Sequence, residues 1–478
     1  MRRIIILTLV LATISVYCQD SKKNDLETTK WEGFIKAGKT ELKLILKLEV
    51  EKCLLEVPAQ ALMDYPSTKY KVTKDSLFIS FSGMLQADFV GKKQADTLIT
   101  GNWIQSNISY PISLKKKKEY IRPQNPQQPF PYKVENVTYF NKDKSIKFGG
   151  TLTTPEKGDK FPVAILITGS GQEDRDETLF GHKPFLIIAD YLTRNGIAVL
   201  RVDDRGIGET TGKETLSNAT SYDFAKDVSA GIEFLKERKE IDPMKIGLIG
   251  HSEGGMIASI IGAERKDIAF IVSMAGVGVS GYVILLSQIE TILKKNEIPK
   301  QSIDSILAIE KKTLEIFRKE SDNRLAGKMI QKQLSLGLLM KQDSLTQKYF
   351  MVTQKDGFTT LNMDELGKRY ISRMSPWNRY SMSYSPDSVL NKINTPFLAI
   401  NGEKDTQVLA KLNLNGFESI FKKYGKKNYK IISYPGLNHF FQHCNTGYMD
   451  EVETIEETMS NDVLNDMTNW IKEQIRKK

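Results

Sequence analysis

The sequence predicts an α/β protein, in which helices cover a mostly parallel sheet, with a smaller β-rich domain ahead of it. Short and almost continuously apolar runs recur after residue 132, and each of the first three is followed by a polar loop and a segment of helical period. Such strands are buried on both faces, as in parallel sheets covered by helices. Before residue 122, apolar and polar residues alternate instead, which predicts half-buried strands.

The composition is that of an ordinary globular protein. The 478 residues correspond to about two or three domains. With 40% hydrophobic and 26% charged residues, disorder and fibrous repeats are excluded. The net charge of +10 is spread along the chain, whereas nucleic-acid binders concentrate such charge in a stripe. We therefore expect no nucleic-acid partner, and the oligomeric state stays open.

The N-terminus has the pattern of a secretory signal. Two arginines precede the apolar run Ile4–Tyr17, and polar residues follow Cys18. This run of 14 residues is shorter than the about 20 that a membrane-spanning helix needs. We expect cleavage of residues 1–18 and an exported protein, periplasmic or secreted, with no membrane span in the mature chain. The bulky Tyr17 disfavours a lipid anchor at Cys18.

Two cysteines remain after cleavage, Cys53 and Cys444, far apart in the sequence. Export would permit their oxidation, but one pair is not a disulfide framework. We expect two free, buried thiols, although the sequence does not fix their redox state.

The predicted β-rich domain covers residues 19–122. Leucines alternate with charged residues from Thr40 to Val50, and Leu77–Phe81 repeats the pattern. This part of the chain has no histidine and no cluster of carboxylates, so we expect an accessory role. Residues 123–131 contain four prolines and three glutamines, which predicts a linker.

The predicted α/β domain covers residues 132–478. Its apolar runs are Val163–Ile167, Ile197–Val202, Ile246–Ile249, Ile268–Met274 and Pro396–Ile400. Between the last two runs, residues of about 280–385 have helical spacing and almost no strand signal. We expect a helical cap there, over the carboxyl edge of the sheet, where open α/β sheets bind their ligands.

The segment Gly250–Gly254 is a G-x-S-x-G pentapeptide. A predicted strand, Lys245–Ile249, runs directly into it, and a helical pattern follows from Gly255. Strand, tight turn and helix form the nucleophile elbow of serine hydrolases, which exposes the serine hydroxyl above the sheet. Ser252 is therefore the candidate nucleophile.

A serine nucleophile needs a histidine base, and the chain has four histidines. His251 points to the other side of the elbow, and His182 is placed for structure or substrate contact. His439 and His443 both follow the strand-like segment Tyr429–Tyr434. His439 ends a loop that can reach back over the sheet edge, so it is the candidate base.

The acid that orients the histidine should follow a strand between the serine and the histidine. Asp405 lies in the loop after Pro396–Ile400, 34 residues before His439, and Glu403 is its near rival. The alternative position, after Ile268–Met274, has no carboxylate. Asp405 is therefore the candidate acid.

Negative charge on the reacting carbonyl oxygen needs backbone N–H donors. One donor should be the amide of Glu253, directly after the nucleophile. The other should come from the loop after Val163–Ile167, where Ser170 and Gly171 are both candidates.

With these motifs the sequence resembles the α/β-hydrolase superfamily. It is most similar to bacterial exported carboxylesterases of the serine-aminopeptidase-like branch, which carry an N-terminal β domain. The matching landmarks are Gly169–Gly171, Asp174–Glu177, Asp203–Gly206, Gly250–Gly255, Asn401–Asp405 and Gly436–His439. The resemblance implies hydrolysis of small acyl esters, usually with short chains, without a cofactor.

Other functions of the same fold give the alternatives, since the superfamily also holds peptidases and non-catalytic binders. We keep an aminopeptidase-like amide hydrolase and a binding protein as second and third hypotheses. The G-x-G-x-x-G match at Gly276–Gly281 lies outside the first βα turn, so we expect no dinucleotide there. The sequence has no metal-ligand motif, and we expect no metal. Asp203, Asp204 and Arg205 follow a strand at the same edge, where they could contact substrate, but we expect them to form a buried ion pair that holds the loop.

Overall fold

The computed structural model describes residues 29–37, 40–57, 62–82, 85–105, 108–117, 120–339, 344–350, 353–355, 358–360, 370 and 374–476. The predicted signal segment, residues 1–18, lies outside them. The chain divides into two compact units, Met1–Glu119 and Tyr120–Lys478. None of the helices in the described ranges combines the length and the hydrophobicity that a membrane crossing requires.

The first unit is an antiparallel β structure. Its described strands are β1 Thr29–Ala37, β2 Thr40–Leu48, β3 Cys53–Val57, β4 Leu62–Pro66, β5 Lys69–Val72, β6 Ser76–Phe81, β7 Ala87–Ala95, β8 Leu98–Gln105 and β9 Ile108–Lys116. Each pairs with its neighbour in sequence except β4 with β5, and β1 also pairs with β9. Only Ser67 and Thr68 join β4 to β5, and they bond to strands β3 and β6. The sheet is therefore rolled up so that its two edges meet.

The apolar residues of the predicted alternation form the core of this unit. Leu44, Leu46 and Leu48 are buried together with Trp31 and Trp103. Val50, which the alternation placed on the buried side, is 60% exposed because strand β2 ends at Leu48.

Both cysteines are free thiols, as expected. Cys53 is buried, and burial raises the pKa of its thiol. The expectation of burial was wrong for Cys444, which is only half-buried.

The second unit is built on an eight-stranded sheet. Its strands are β10 Tyr132–Phe140, β11 Lys147–Pro155, β12 Phe161–Ile167, β13 Ala198–Val202, β14 Ile241–His251, β15 Ile271–Met274, β18 Phe397–Gly402 and β19 Tyr429–Tyr434. Their order is β10-β11-β13-β12-β14-β15-β18-β19, parallel from β13 to β19, with β10 and β11 antiparallel at one edge. The predicted apolar runs are all in this sheet, so the α/β class is confirmed.

Helices cover both faces of this sheet. In chain order the described helices are α1 Pro184–Arg194, α2 Ser221–Lys236, α3 Glu253–Glu264, α4 Gly281–Lys295, α5 Lys300–Lys319, α6 Asn323–Leu339, α7 Ser344–Phe350, α8 Pro376–Ser383, α9 Pro386–Leu390, α10 Ala410–Lys423, α11 Met449–Val452 and α12 Asn461–Arg476, with a 3₁₀ turn at Lys213–Thr215. One apolar layer packs α2, α3 and α10 on the sheet, and the other packs α1 and α12 on the opposite face. The strands between these layers are buried on both sides.

Local side chains fix where the helices beside the site begin. Thr220 and Asp223 form a capping box at the start of α2. Ser375 Oγ accepts the N–H of Asn378 at the start of α8. Pro376, the first residue of this helix, has no N–H that would need an acceptor.

Helices α4 to α8 interrupt the sheet between β15 and β18 and pack around their own core, which includes Ile306, Ile330 and Phe350. A short hairpin, β16 Thr353–Lys355 with β17 Phe358–Thr360, lies in the same stretch. This hairpin was not predicted, because strands of three residues are too short to show an alternating pattern.

The Pro- and Gln-rich segment is attached to the second unit. Gln124 accepts the N–H groups of Thr458 and Met459 and donates to the carbonyl of Met459. Arg122, directly before this segment, donates to the carbonyls of Phe180, Glu453 and Ile455. These side chains therefore bind the segment to the rest of the second unit.

Candidate active site

Ser252 occupies a sharp turn between β14 and α3. Its φ of +52° and ψ of −114° form a backbone conformation that residues other than glycine rarely adopt. Its N–H donates to the carbonyl of Met274 at 2.8 Å, which ties the turn to the end of β15. The strand, turn and helix predicted from the pentapeptide are present.

Small residues make this turn possible. A Cβ on Gly250 would overlap the carbonyl of Gly254, and a Cβ on Gly254 would overlap the carbonyl of Ile167. A Cβ on Gly255 would come within 2.6 Å of Ser273 Oγ. The glycines are therefore needed so that α3 can start against the neighbouring strands.

His439 and Asp405 meet in the structure. The His439 Nδ1 lies 2.7 Å from Asp405 Oδ2, and both side chains are buried. The other oxygen, Oδ1, accepts the backbone N–H groups of Gln407 and Val408 at 2.8 Å each. The carboxylate is therefore fixed from two sides, and a proton on Nδ1 leaves the Nε2 lone pair of His439 free to act as a base.

The rival residues lie elsewhere. Glu403 accepts a hydrogen bond from Ser433 at 3.2 Å. His443 is exposed and pairs with Glu457 at 2.8 Å. His182 is buried between Thr458 Oγ1 and the carbonyl of Val452.

His439 also lies against the elbow. The rings of His439 and His251 are 4.7 Å apart between centroids, and His251 directly precedes Ser252. His251 Nε2 donates to the backbone carbonyl of His439 at 3.0 Å. The loop that carries the candidate base is thus bonded to the residue before the candidate nucleophile.

The candidate oxyanion donors divide between two cavities. Glu253 is the first residue of α3, where a backbone N–H has no acceptor within the helix. Ser170 lines a cavity together with Ser252 and Glu253. Gly171, by contrast, lines a different cavity, which extends behind the loop to Phe224. This geometry favours Ser170 over Gly171.

The cavity beside Ser252 has a volume of about 680 Å³, its open mouth included. Helices α4 and α8 of the inserted segment contribute to its walls. Its apolar lining consists of Met256, Val277, Ile284, Leu285, Met382 and Val408. Its polar lining includes Gln288, Trp377, Asn378 and Ser381. The site therefore opens into a mixed pocket under the inserted helices.

A model of a known protein family matches part of the second unit. Residues 184–443, a little over half of the chain, match the model of the family described as serine aminopeptidase, S33. The chain belongs to this family. Its predicted resemblance to the serine-aminopeptidase-like branch of the α/β hydrolases is thereby confirmed.

The individual proteins that the chain matches share a quarter or less of its residues over the aligned part. Esterase EstD of Thermotoga maritima is 25% identical over 309 residues, which are 64% of this chain and 61% of the relative. The chain thus spans less than two thirds of that relative. Est1E of Butyrivibrio proteoclasticus, solved with ferulic acid, aligns over 71% of this chain and 99% of its own at 18% identity, with a TM-score of 0.40. Esterase Pf2001 of Pyrococcus furiosus aligns over 72% of this chain and 93% of its own at 16% identity, with a TM-score of 0.40.

Ion pairs hold the loop after β13 in the second unit. Asp203 accepts two hydrogen bonds from the guanidinium of Arg175, at 3.0 and 2.6 Å. Arg205 donates in the same bidentate way to Asp227 at 2.6 and 2.7 Å. The expectation of an ion pair is confirmed for Asp203 and Arg205, whose partners Arg175 and Asp227 are half-buried, and it was wrong for Asp204. Asp204 instead accepts from Thr168 Oγ1 and from the N–H of Glu173.

A buried acidic cluster behind the elbow was not predicted from the sequence. Glu177 pairs with His251 at 2.8 Å, and both are about 5% exposed. Burial and the neighbouring charge of Glu177 raise the pKa of Glu173 to about 8. Burial raises the pKa of Asp204 to about 7. The run Asp174–Glu177 was noted as a family landmark, but no local pattern indicates that its last residue contacts His251.

Within the ranges that the structure describes, no three His, Cys, Asp or Glu side chains are arranged to hold a metal ion.

Proposed function

We propose that this protein is a serine carboxylesterase in which Ser252, His439 and Asp405 act as one catalytic triad. The observation that supports this most is the 2.7 Å contact between His439 Nδ1 and Asp405, on a loop bonded to the residue before Ser252. A mere binding protein has no need of a serine at a strained turn and an oriented imidazole beside it. The binding-protein hypothesis therefore has no feature in its favour.

The reaction would proceed through an acyl-enzyme. His439 Nε2 takes the hydroxyl proton while Ser252 Oγ attacks the acyl carbonyl carbon, and the N–H groups of Glu253 and Ser170 stabilise the oxyanion. His439 then returns this proton to the departing alcohol as the ester bond breaks. Water, deprotonated by the same imidazole, releases the carboxylic acid from Ser252. Asp405 holds the imidazole in the required tautomer throughout.

We propose short acyl chains as substrates. Bulky side chains such as Met256, Leu285 and Met382 line the cavity beside Ser252 and reduce the length that an acyl chain can occupy. The name of the relative EstD supports an ester as the scissile bond.

An aminopeptidase-like activity is the second candidate, favoured by one observation. Glu253 lines the same cavity as Ser252, and its carboxylate could bind the ammonium group of an aminoacyl substrate. Burial raises the pKa of this carboxyl, however, and its Oε1 already accepts two hydrogen bonds. We therefore rank the ester first.

Parallel assays of esters and amides test this proposal. The purified protein is assayed on p-nitrophenyl esters from acetyl to lauroyl and on aminoacyl p-nitroanilides. We expect ester turnover to exceed anilide turnover, with the highest kcat/KM at short acyl chains. S252A should abolish turnover, whereas S259A, which removes a buried hydroxyl from the same helix, should retain it. Faster anilide turnover would reverse the ranking, and full activity in S252A would refute the nucleophile.

The proposed location is outside the cytoplasm, because of the charged start and apolar run before Cys18. Mass spectrometry of the protein recovered from cell fractions tests this. We expect an N-terminus at Gln19 in the periplasm or medium. An uncleaved chain in the cytoplasm would contradict export.

A further inference from the structure

Three hydrogen bonds connect the two loops that flank Ser252. The N–H of Gly169 donates to Glu177 Oε1 at 3.0 Å, and His251 Nδ1 lies 2.8 Å from the same oxygen. On its other side, His251 Nε2 donates to the carbonyl of His439 at 3.0 Å. Glu177 and His251 thus connect the loop before Ser170 with the loop of the proposed base.

The chemistry of the partners fixes the protons on His251. A carbonyl oxygen only accepts, so Nε2 must carry a hydrogen. Glu177 Oε1 already accepts from Gly169, so Nδ1 is placed to donate to it as well. Burial lowers the pKa of His251, but the charge and hydrogen bond of Glu177 and the carbonyl of His439 outweigh this and raise it to about 9. Both ring nitrogens of His251 thus face acceptors, and the raised pKa favours the form that carries a proton on each of them.

We propose that Glu177 and His251 are a positioning pair, which holds the oxyanion loop and the loop of His439 in register with each other across the nucleophile elbow. This inference rests on the proposed function. Neither side chain needs to touch substrate, because each acts through backbone groups of Gly169 and His439. Since a misplacement of about 1 Å can cost on the order of 10²-fold in rate, a small shift of either loop is enough to matter.

The position of the pair argues against a role in packing alone. A buried ion pair is often no more stabilising than apolar side chains of the same volume. Here the pair lies under the elbow itself, and a Cβ on Gly169 would be 3.6 Å from the Cβ of Ser252 and 3.7 Å from His251 Nδ1. The charges therefore lie where they contact backbone groups of both loops.

The groups around His251 determine how the pair responds to pH. Glu177 and Glu173 face it from the loop after β12, and the ring of His439 faces it from the loop after β19. Asp204, from the loop after β13, bonds to the N–H of Glu173. Above a pH of about 9, neutral His251 keeps its Nε2–H bond and loses the proton that faces Glu177. We expect kcat of the wild type to fall there.

Two substitutions separate the two halves of the pair. In H251N the amide nitrogen replaces Nδ1 and retains the contact with Glu177, whereas in H251Q it replaces Nε2 and retains the contact with His439. We expect both to lower kcat by on the order of 10 to 10²-fold with little change in KM. H251N should lose more, because it releases the loop of the proposed base. Neither should show the fall of kcat near pH 9.

The matched controls are H443N and H443Q. His443 pairs with Glu457 at the same 2.8 Å, but its side chain is 64% exposed. These controls should keep the wild-type kcat and pH profile. An unchanged kcat in both His251 variants, or the same fall near pH 9 in wild type and H251Q, would overturn the proposal.

A spectroscopic measurement separates this proposal from that of the esterase. In the S252A background, which cannot turn over, the proton between His439 Nδ1 and Asp405 is followed by NMR. We expect its downfield signal to shift or broaden in H251N and to stay unchanged in H443N. A signal unaffected by H251N would overturn the positioning role even if the protein hydrolyses esters. A shifted signal would support that role even if wild type hydrolyses none.

Discussion

The indole N–H of Trp377 donates to Oε1 of Glu253 at 2.7 Å. Trp377 belongs to α8 of the inserted segment, and Glu253 directly follows Ser252. The same oxygen accepts a hydrogen bond from Ser221, the first residue of α2, also at 2.7 Å. One buried carboxyl thus joins the inserted helices to the elbow.

Loss of this bond should affect catalysis more than folding. W377F keeps an aromatic ring but removes the N–H, so α8 loses its bond to the elbow and the substrate cavity changes shape. We expect kcat/KM for a short ester to fall by about tenfold, the equivalent of one hydrogen bond to a carboxyl. Steady-state kinetics and thermal unfolding measure the two effects.

The control for W377F is W470F. Trp470 packs edge-on against Phe270 in the apolar layer on the opposite face of the sheet, away from the Ser252 cavity. Its kcat/KM should stay at the wild-type value. An equal fall in both variants would mean that general destabilisation, and not the Trp377 bond, explains the loss.

Asp405 and Glu403 form a second matched pair of tests. D405N keeps the shape of the side chain but removes the charge that orients His439, so we expect kcat to fall on the order of 10⁴-fold, as in serine proteases. E403Q should leave kcat unchanged, since Glu403 bonds only to Ser433 among the described contacts of its side chain. Active D405N with inactive E403Q would assign the acid to Glu403 instead.

The buried cluster predicts a stability that falls as the pH rises. The pKa of Glu173 is raised from 4.5 to about 8 in the folded protein, so the unfolded chain ionises first. The contribution of protonated Glu173 to the free energy of unfolding is therefore complete below pH 4.5 and is lost progressively up to about pH 8. E173Q, whose amide can donate to Glu177, should remove this dependence.

Urea unfolding of wild type and E173Q at pH 5 to 8 checks this expectation. The free energy of unfolding of the variant minus that of wild type should increase by up to about 1.4 kcal/mol for each pH unit. E156Q, at an exposed carboxyl after β11, should run parallel to wild type. A constant difference between E173Q and wild type across this range would contradict the raised pKa.

Much of the fold and part of the site could be predicted from the sequence, because their signals are local. The run that ends in Gly250 is apolar enough to be a buried strand, and the glycines around Ser252 are needed by its turn. Asp405 and His439 each follow a strand, so the parallel topology brings them to one edge. The structure has them in contact, while their catalytic roles stay predictions.

The remaining features depend on contacts between distant parts of the chain. Glu177 and His251 are 74 residues apart, and Glu253 and Trp377 are 124 residues apart. A polar residue that is buried against such a partner has the same local pattern as one in solvent. The choice between Ser170 and Gly171 also depended on which cavity each residue lines. Such contacts depend on how distant segments pack together, and hydrophobic periodicity does not predict this packing.

Covalent labelling with a fluorophosphonate tests the central claim most directly. The Ser252 hydroxyl, activated by His439, should form a bond to phosphorus as fluoride leaves, and peptide mass spectrometry locates the adduct. We predict a single adduct on Ser252 in the folded wild type, slow labelling in D405N, and none in S252A. A wild type that resists the reagent, or an adduct on another serine, would contradict the proposed triad.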